Sequence, residues 1–271
     1  MLGKLIKYDM KALNRFLIII HAFLLLFALL GRVFLTSRIR FTEMDDTNSL
    51  LLTLSFLLYF LIMSGVVFAT EMIIAVRFYK NQFSDEGYLS RTLPVTPGQH
   101  LLSKTITGVI WCVIDLLLIM LSLWIVIMTP SVTAAYNANK AEVLEVLGIT
   151  GGMTPAALAA LVFLLLIVSS VSNVVMIYAS VSMGQLFSNH RILGAVVSYF
   201  IITTVTSIFS LLALTVTGYF SNYTLVAGSP EFSFTESMLY LTRLTVVLSL
   251  VTSILLYIFT YYILKKKTNL Q

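Results

Sequence analysis

The chain has 271 residues, of which 59% are apolar and 11% charged, and its mean hydropathy is +0.97. A soluble domain carries about 25% charged residues, so the composition excludes a soluble enzyme, a disordered chain and a nucleic-acid-binding domain. The formal charge of +5 is therefore read for membrane orientation, since basic residues sort to the inner side.

At roughly 20 apolar residues per helical span, the length accommodates six spans with short connections and leaves no room for a soluble catalytic domain. An all-α, polytopic membrane protein is predicted, one transmembrane domain over residues 1–271. Its first element, residues 1–15, is an amphipathic helix expected to lie at the interface. Leu2, Leu5, Ile6, Met10 and Leu13 recur at helical spacing, and Lys4, Lys7, Lys11 and Arg15 share the opposite face. Such a helix serves as an anchor or as a contact for a cytoplasmic partner. Charge-poor runs then predict spans over about 16–36, 50–76, 105–129, 156–186, 192–217 and 239–264. The first run is too long for a cleavable signal, and no small-residue cleavage site follows it.

Counting Lys and Arg on alternate sides orients the chain. Lys4, Lys7, Lys11, Arg15, Arg77, Lys80, Arg91, Lys104, Arg191, Lys265, Lys266 and Lys267 fall on one side; Arg32, Arg38, Arg40, Lys140 and Arg243 fall on the other. Both termini are thus expected in the cytoplasm of a multi-pass cell-membrane protein. All five prolines lie outside the spans. Thr96-Pro97 and Thr154-Pro155 read as an N-cap followed by a first-turn proline, opening the third and fourth helices. Unbroken helices argue against transporters built on interrupted spans. Residues 138–147 predict a short amphipathic helix stopped by Gly148, and the aromatics of 219–240 suit the headgroup boundary.

The longest inner connection, residues 77–104, differs in composition from its surroundings. Ser84 or Asp85 can cap a short helix, Tyr88, Leu89, Thr92 and Leu93 give it a face, and Pro94 ends it. A helix so short must be held by neighbours or by a partner.

Three stretches of this connection, Glu86-Gly87-Tyr88-Leu89, Thr92-Leu93-Pro94-Val95 and Leu101-Leu102-Ser103-Lys104, carry a family likeness. With the six-span layout, the chain resembles the permease subunits of type-2 ATP-binding-cassette transporters. The resemblance implies a coupling helix made by Asp85, Glu86, Gly87, Tyr88, Leu89, Arg91, Thr92, Leu93 and Pro94 that docks on a separate cytoplasmic ATPase. It implies further that ATP and Mg²⁺ bind that partner, that this chain holds no cofactor, that it dimerises with itself or a second permease, and that the direction is export. No Gly-x-x-x-x-Gly-Lys-Ser/Thr phosphate loop occurs in the chain, so ATP energy would have to come from another subunit.

Two acids fall within spans, where each costs roughly 2.5–3.5 kcal/mol at the bilayer centre. Asp115 lies about 16 Å along the helix from Lys104, near the midplane. Asn173, with Ser169, Ser170, Ser172, Thr203, Thr204, Thr206, Ser207, Ser249, Thr252 and Ser253, falls at a similar depth. Such a layer is either hydrogen-bonded glue between helices or the lining of a path. Glu71 faces away from Arg77, so its partner is sought in Arg91, Lys104 or Arg191, or else it relays motion from the loop. A secondary transporter or channel using Asp115 and Glu71, and a membrane-embedded enzyme, are the alternative classes. His21, His100 and His190 show no ligand spacing with one another or with acids, and no metal site is expected.

Overall fold

The computed structural model describes residues 2–38, 46–84, 86–87, 92, 94–146, 155–187, 189–219 and 234–266. Among them are the helices α1 (Leu2–Arg38), α2 (Asp46–Phe83), α3 (Pro97–Ile127), α4 (Pro130–Ala138), α5 (Lys140–Val146), α6 (Pro155–Gly184), α7 (Arg191–Val216) and α8 (Phe234–Lys266). Six of these, α1 to α3 and α6 to α8, are long and apolar enough to cross a membrane.

Local chemistry sets several of the ends. Thr96 opens α3 with a capping box: its Oγ1 accepts from the Gln99 amide at 3.3 Å, and Gln99 Oε1 accepts from the Thr96 amide at 3.2 Å. Pro97 follows at the first helical position, where its missing N–H is not needed. At α4 Thr129 Oγ1 accepts from the Val132 amide at 3.4 Å, and Pro130 takes the first helical position. The other end of α3 is closed from outside, because Arg32 of α1 donates to the carbonyls of Ile125, at 2.8 Å, and Met128. A cation at a helix C-terminus meets the negative end of its dipole, so Arg32 has a local partner and need not snorkel.

Residues 1–15 and 16–36, expected as an interfacial helix followed by a span, belong to one uninterrupted helix from residue 2 onward. No Gly or Pro interrupts the sequence around residue 15, so the change in face composition there carries no backbone signal. Its 37 residues extend about 55 Å, well beyond the hydrocarbon thickness of about 30 Å. The short helix expected over 138–147 appears as Lys140–Val146, preceded by α4; Gly148 lies outside the described residues.

The six long helices alternate in direction, and the bundle is packed most densely at one end. There the start of α1, the end of α2, the start of α3 and the ends of α6 and α8 join in a core that includes Leu17, Phe78, Leu101, Trp111, Tyr178 and Leu264. The rings of Phe78 and Tyr178 stack at 3.9 Å. This loop end also gathers Lys4, Lys7, Lys11, Arg15, Arg77, Lys80, Lys104, Arg191, Lys265 and Lys266. At the far end a smaller cluster joins Ala28, Leu35, Tyr59 and Val126. Apolar side chains such as Ile19, Val33, Phe60, Phe200 and Val216 point outward, as lipid contact requires.

The turn from α6 into α7 depends on Gly184. A Cβ there would lie 2.5 Å from the Ala195 backbone nitrogen, whereas one on Gly65 of α2 would meet nothing within 4 Å. Backbone atoms cannot give way as a flexible side chain can. Gly184→Ala is therefore expected to destabilise the bundle by about 1–3 kcal/mol through overpacking, and Gly65→Ala to change stability by no more than about 0.5 kcal/mol. Thermal unfolding of the two variants in the same detergent checks this; equal midpoints would contradict the α6–α7 packing.

Candidate functional site

The polar groups at the loop end form a connected set. Asp9 of α1 is buried, and its carboxylate accepts from Ser103 Oγ at 2.9 Å and from Lys104 Nζ. Lys104 also donates to Asn81 Oδ1 at 3.0 Å. Through its other side-chain atom, Asn81 Nδ2 donates to Glu86 Oε2 at 3.0 Å, and Arg77 reaches the same oxygen at 3.3 Å. Tyr178 of α6 donates to the Lys104 carbonyl at 3.0 Å. One chain of contacts thus runs from Glu86 in the connection, through the end of α2 and the start of α3, to α1, with α6 attached.

Burial differs along that chain, and so does its strength. The Lys104 and Asp9 side chains are 8% and 11% exposed, whereas those of Arg77 and Glu86 are 35% and 51% exposed. The inner pair must stay intact, because either charge alone would be stranded without water. The outer pair is the kind that contributes about 1 kcal/mol or less. A small cavity of about 10 Å³ lies among Asp9, Arg77, Lys104, Thr107 and Tyr178 and the apolar side chains of Leu13, Ile74 and Phe78.

Of the residues assigned to the coupling loop, Glu86, Gly87, Thr92 and Pro94 are described; Asp85, Tyr88, Leu89, Arg91 and Leu93 lie outside the described residues. Gly87 is buried and its N–H donates to the Ser84 carbonyl at 2.7 Å. A Cβ on it would stand 2.8 Å from the Gln82 carbonyl oxygen, so the connection folds back on the end of α2 only because position 87 has no side chain. Thr92 and Pro94 are exposed.

Both acids inside the bundle have polar partners, and of the cations expected for Glu71, Arg91 lies outside the described residues. Glu71 accepts from Asn173 Nδ2 of α6 at 2.6 Å; of the cations proposed for it, Lys104 is taken by Asp9 and Asn81. Asp115 is buried and bonded to His21 of α1, whose Nε2 is 2.8 Å from Asp115 Oδ1. Within the expected layer of Ser and Thr, Ser172 of α6 bonds Ser253 of α8 at 2.8 Å. Thr203, Thr206 and Thr252 donate to carbonyls one turn back in their own helices, and Thr203 Oγ1 also lies 3.7 Å from Met176 Sδ of α6. Glu71 and Asn173 are thus brought together, and Asp115 is not joined to them by a hydrogen bond.

Sequence reasoning missed Asp9, Asn81 and His21. Asp9 offered a signal, being the one acid among the basic residues of the first turns of α1. His21 offered none, because 94 residues separate it from Asp115. Among the described residues no group of three or more His, Cys, Asp or Glu side chains is placed to hold a metal ion. The chain matches no protein-family model, no curated protein and no solved structure.

Proposed function

We propose that the chain is the permease subunit of an ATP-driven transporter of the type-2 ATP-binding-cassette class, exporting its substrate. It works as a dimer with itself or a second permease, and a separate cytoplasmic ATPase docks on residues 77–104. The observation that carries this reading is the polar chain from Glu86 through Asn81 to Lys104 and Asp9. A loop that only connected two spans would need no such attachment; a loop that receives force from a partner does, because the force must reach several helices together. The three motifs of the resemblance fall on the same segment, with Ser103 and Lys104 of the third supplying the contacts to α1.

In this reading both termini and the loop end face the cytoplasm of a cell-membrane protein, which the concentration of basic residues there supports. Reporter fusions at residue 271 and near Lys140 are expected to give opposite signals, and an outward C-terminus would contradict the orientation. Function is tested by hydrolysis. The purified chain alone is expected to turn over no ATP, since it has no phosphate loop, and to support turnover when reconstituted with its ATPase. ATP hydrolysis by the chain free of other proteins would remove the permease-subunit reading.

A further inference from the structure

His21 of α1 and Asp115 of α3 face each other inside the bundle, with 4% and 3% of their surfaces exposed. Hydrogen accounting fixes what they hold. The Leu17 carbonyl, 2.7 Å from His21 Nδ1, can only accept, so Nδ1 carries a hydrogen. The second ring nitrogen, Nε2, lies 2.8 Å from Asp115 Oδ1, and this contact also needs one hydrogen between its two heavy atoms. A neutral imidazole with its hydrogen on Nδ1 presents only a lone pair at Nε2, and a carboxylate presents only lone pairs. The contact is therefore made only when one further proton is bound, either on Nε2 as imidazolium facing carboxylate or on Oδ1 as carboxylic acid facing imidazole. Both forms leave the pair without net charge.

We propose that His21 and Asp115 together form a proton-binding site in the membrane-spanning part of the bundle, a clamp that holds α1 against α3 while one proton is bound. Two donors do not make a metal site, and no further His, Cys, Asp or Glu completes one among the described residues. The titratable groups around the pair are Glu71 from α2 and Cys112 from α3, both within electrostatic reach of Asp115. Behind them stand Tyr178 from α6, near Cys112, and Tyr199 from α7, near Glu71; Tyr257 from α8 packs against the same core. None of these supplies a cation to neutralise Asp115 in place of the proton.

The consequence is mechanical. With the Nδ1 hydrogen held on the Leu17 carbonyl, loss of the other proton to water leaves Nε2 and Oδ1 facing as two lone-pair atoms and a carboxylate charge buried without a partner, which drives α1 from α3 at this level. By linkage, any movement that parts the two helices lowers their affinity for the proton by the same free energy. Movement of α1 against α3 is thereby tied to proton binding and release, whatever drives it.

The test uses the full chain in lipid nanodiscs with ¹⁵N-labelled histidine, whose ring shifts report tautomer and charge. The chain has 3 histidines, and His21 is assigned by the signals lost in His21→Gln. The result expected is a hydrogen retained on Nδ1 and a proton shared at Nε2, titrating in a step separate from His100 and His190. In Asp115→Asn the side-chain amide can donate to Nε2 without an added proton, so the step is lost. A second readout is tryptophan emission: Trp111 stacks on the His21 ring, with centroids 6.1 Å apart. In Trp124→Phe it is the sole tryptophan, and its emission should follow the same step and be flat in the Asp115→Asn background. Identical His21 shifts in wild type and Asp115→Asn at every pH would overturn the proposal, as would a ring with its hydrogen on Nε2 and a bare Nδ1. Should Asp115→Asn not fold, the wild-type tautomer decides: a proton shared at Nε2 below the titration step supports the site, and a Nε2 that is bare at every pH in the folded protein overturns it.

Discussion

Lys104→Met is expected to destabilise the protein by about 3–5 kcal/mol, the range for removing one partner of a buried ion pair. Methionine fills nearly the same space as the lysine stem, so the loss is electrostatic and not a packing defect. It strands the Asp9 carboxylate, which among the described residues keeps only Ser103 Oγ, and it removes the Lys104 donor from Asn81 Oδ1. Because Asp9 is on α1 and Lys104 on α3, the first turns of α1 should come loose and become open to protease or hydrogen exchange before the rest of the bundle. Replacing both members, as in Asp9→Leu with Lys104→Met, removes the stranded charge and should recover most of the stability, a coupling that a double-mutant cycle reads directly. Unfolding midpoints in detergent, with exchange across residues 2–15, check both parts. Additive losses in the double variant would show that the two side chains do not act as a pair.

The second large effect concerns the loop. The proposed anchors, Tyr88 and Leu93, occupy the part of the segment that resembles a coupling helix, and interface energy concentrates in a few such aromatic and apolar groups. Tyr88→Ala and Leu93→Ala should each weaken ATPase docking by about 2 kcal/mol or more, roughly 30-fold in affinity, while the six long helices stay inserted. Glu86→Ala should behave differently. Its side chain is half exposed, so docking energy changes little, but the hydrogen bond to Asn81 is lost and with it the attachment to Lys104 and Asp9. ATPase should be retained and transport per ATP should fall. Glu142→Ala, in α5, is the control for both.

Lipid made most of the fold legible. A span needs about 20 apolar residues and no unpaired backbone groups, so charge-free runs marked the six long helices, and Thr96-Pro97 marked the start of α3 through ordinary capping chemistry. What stayed hidden has two physical origins. The division of α1 at residue 15 was inferred from amphipathicity, a property of side chains, whereas continuity of a helix is decided by its backbone, and nothing there breaks it. The pairings were hidden because they join distant segments: 95 residues separate Asp9 from Lys104, 93 separate Arg32 from Ile125, and 102 separate Glu71 from Asn173. Periodicity speaks to which face a residue occupies, not to which helix that face meets. Of the loop, the motif wording was legible from sequence alone, but the role of Asn81 in linking it to Lys104 required the end of α2 and the start of α3 to be side by side.

The most direct test of the coupled-permease account is purification of the tagged chain from its native membranes in mild detergent, with sequencing of what accompanies it and an assay of nucleotide hydrolysis. The account predicts a companion ATPase in fixed ratio, bearing the phosphate loop this chain lacks, and hydrolysis that leaves the preparation together with that companion when Tyr88 and Leu93 are changed to alanine. Recovery of the chain without any ATPase, in a form that moves substrate across vesicle membranes on an ion gradient alone, would contradict it.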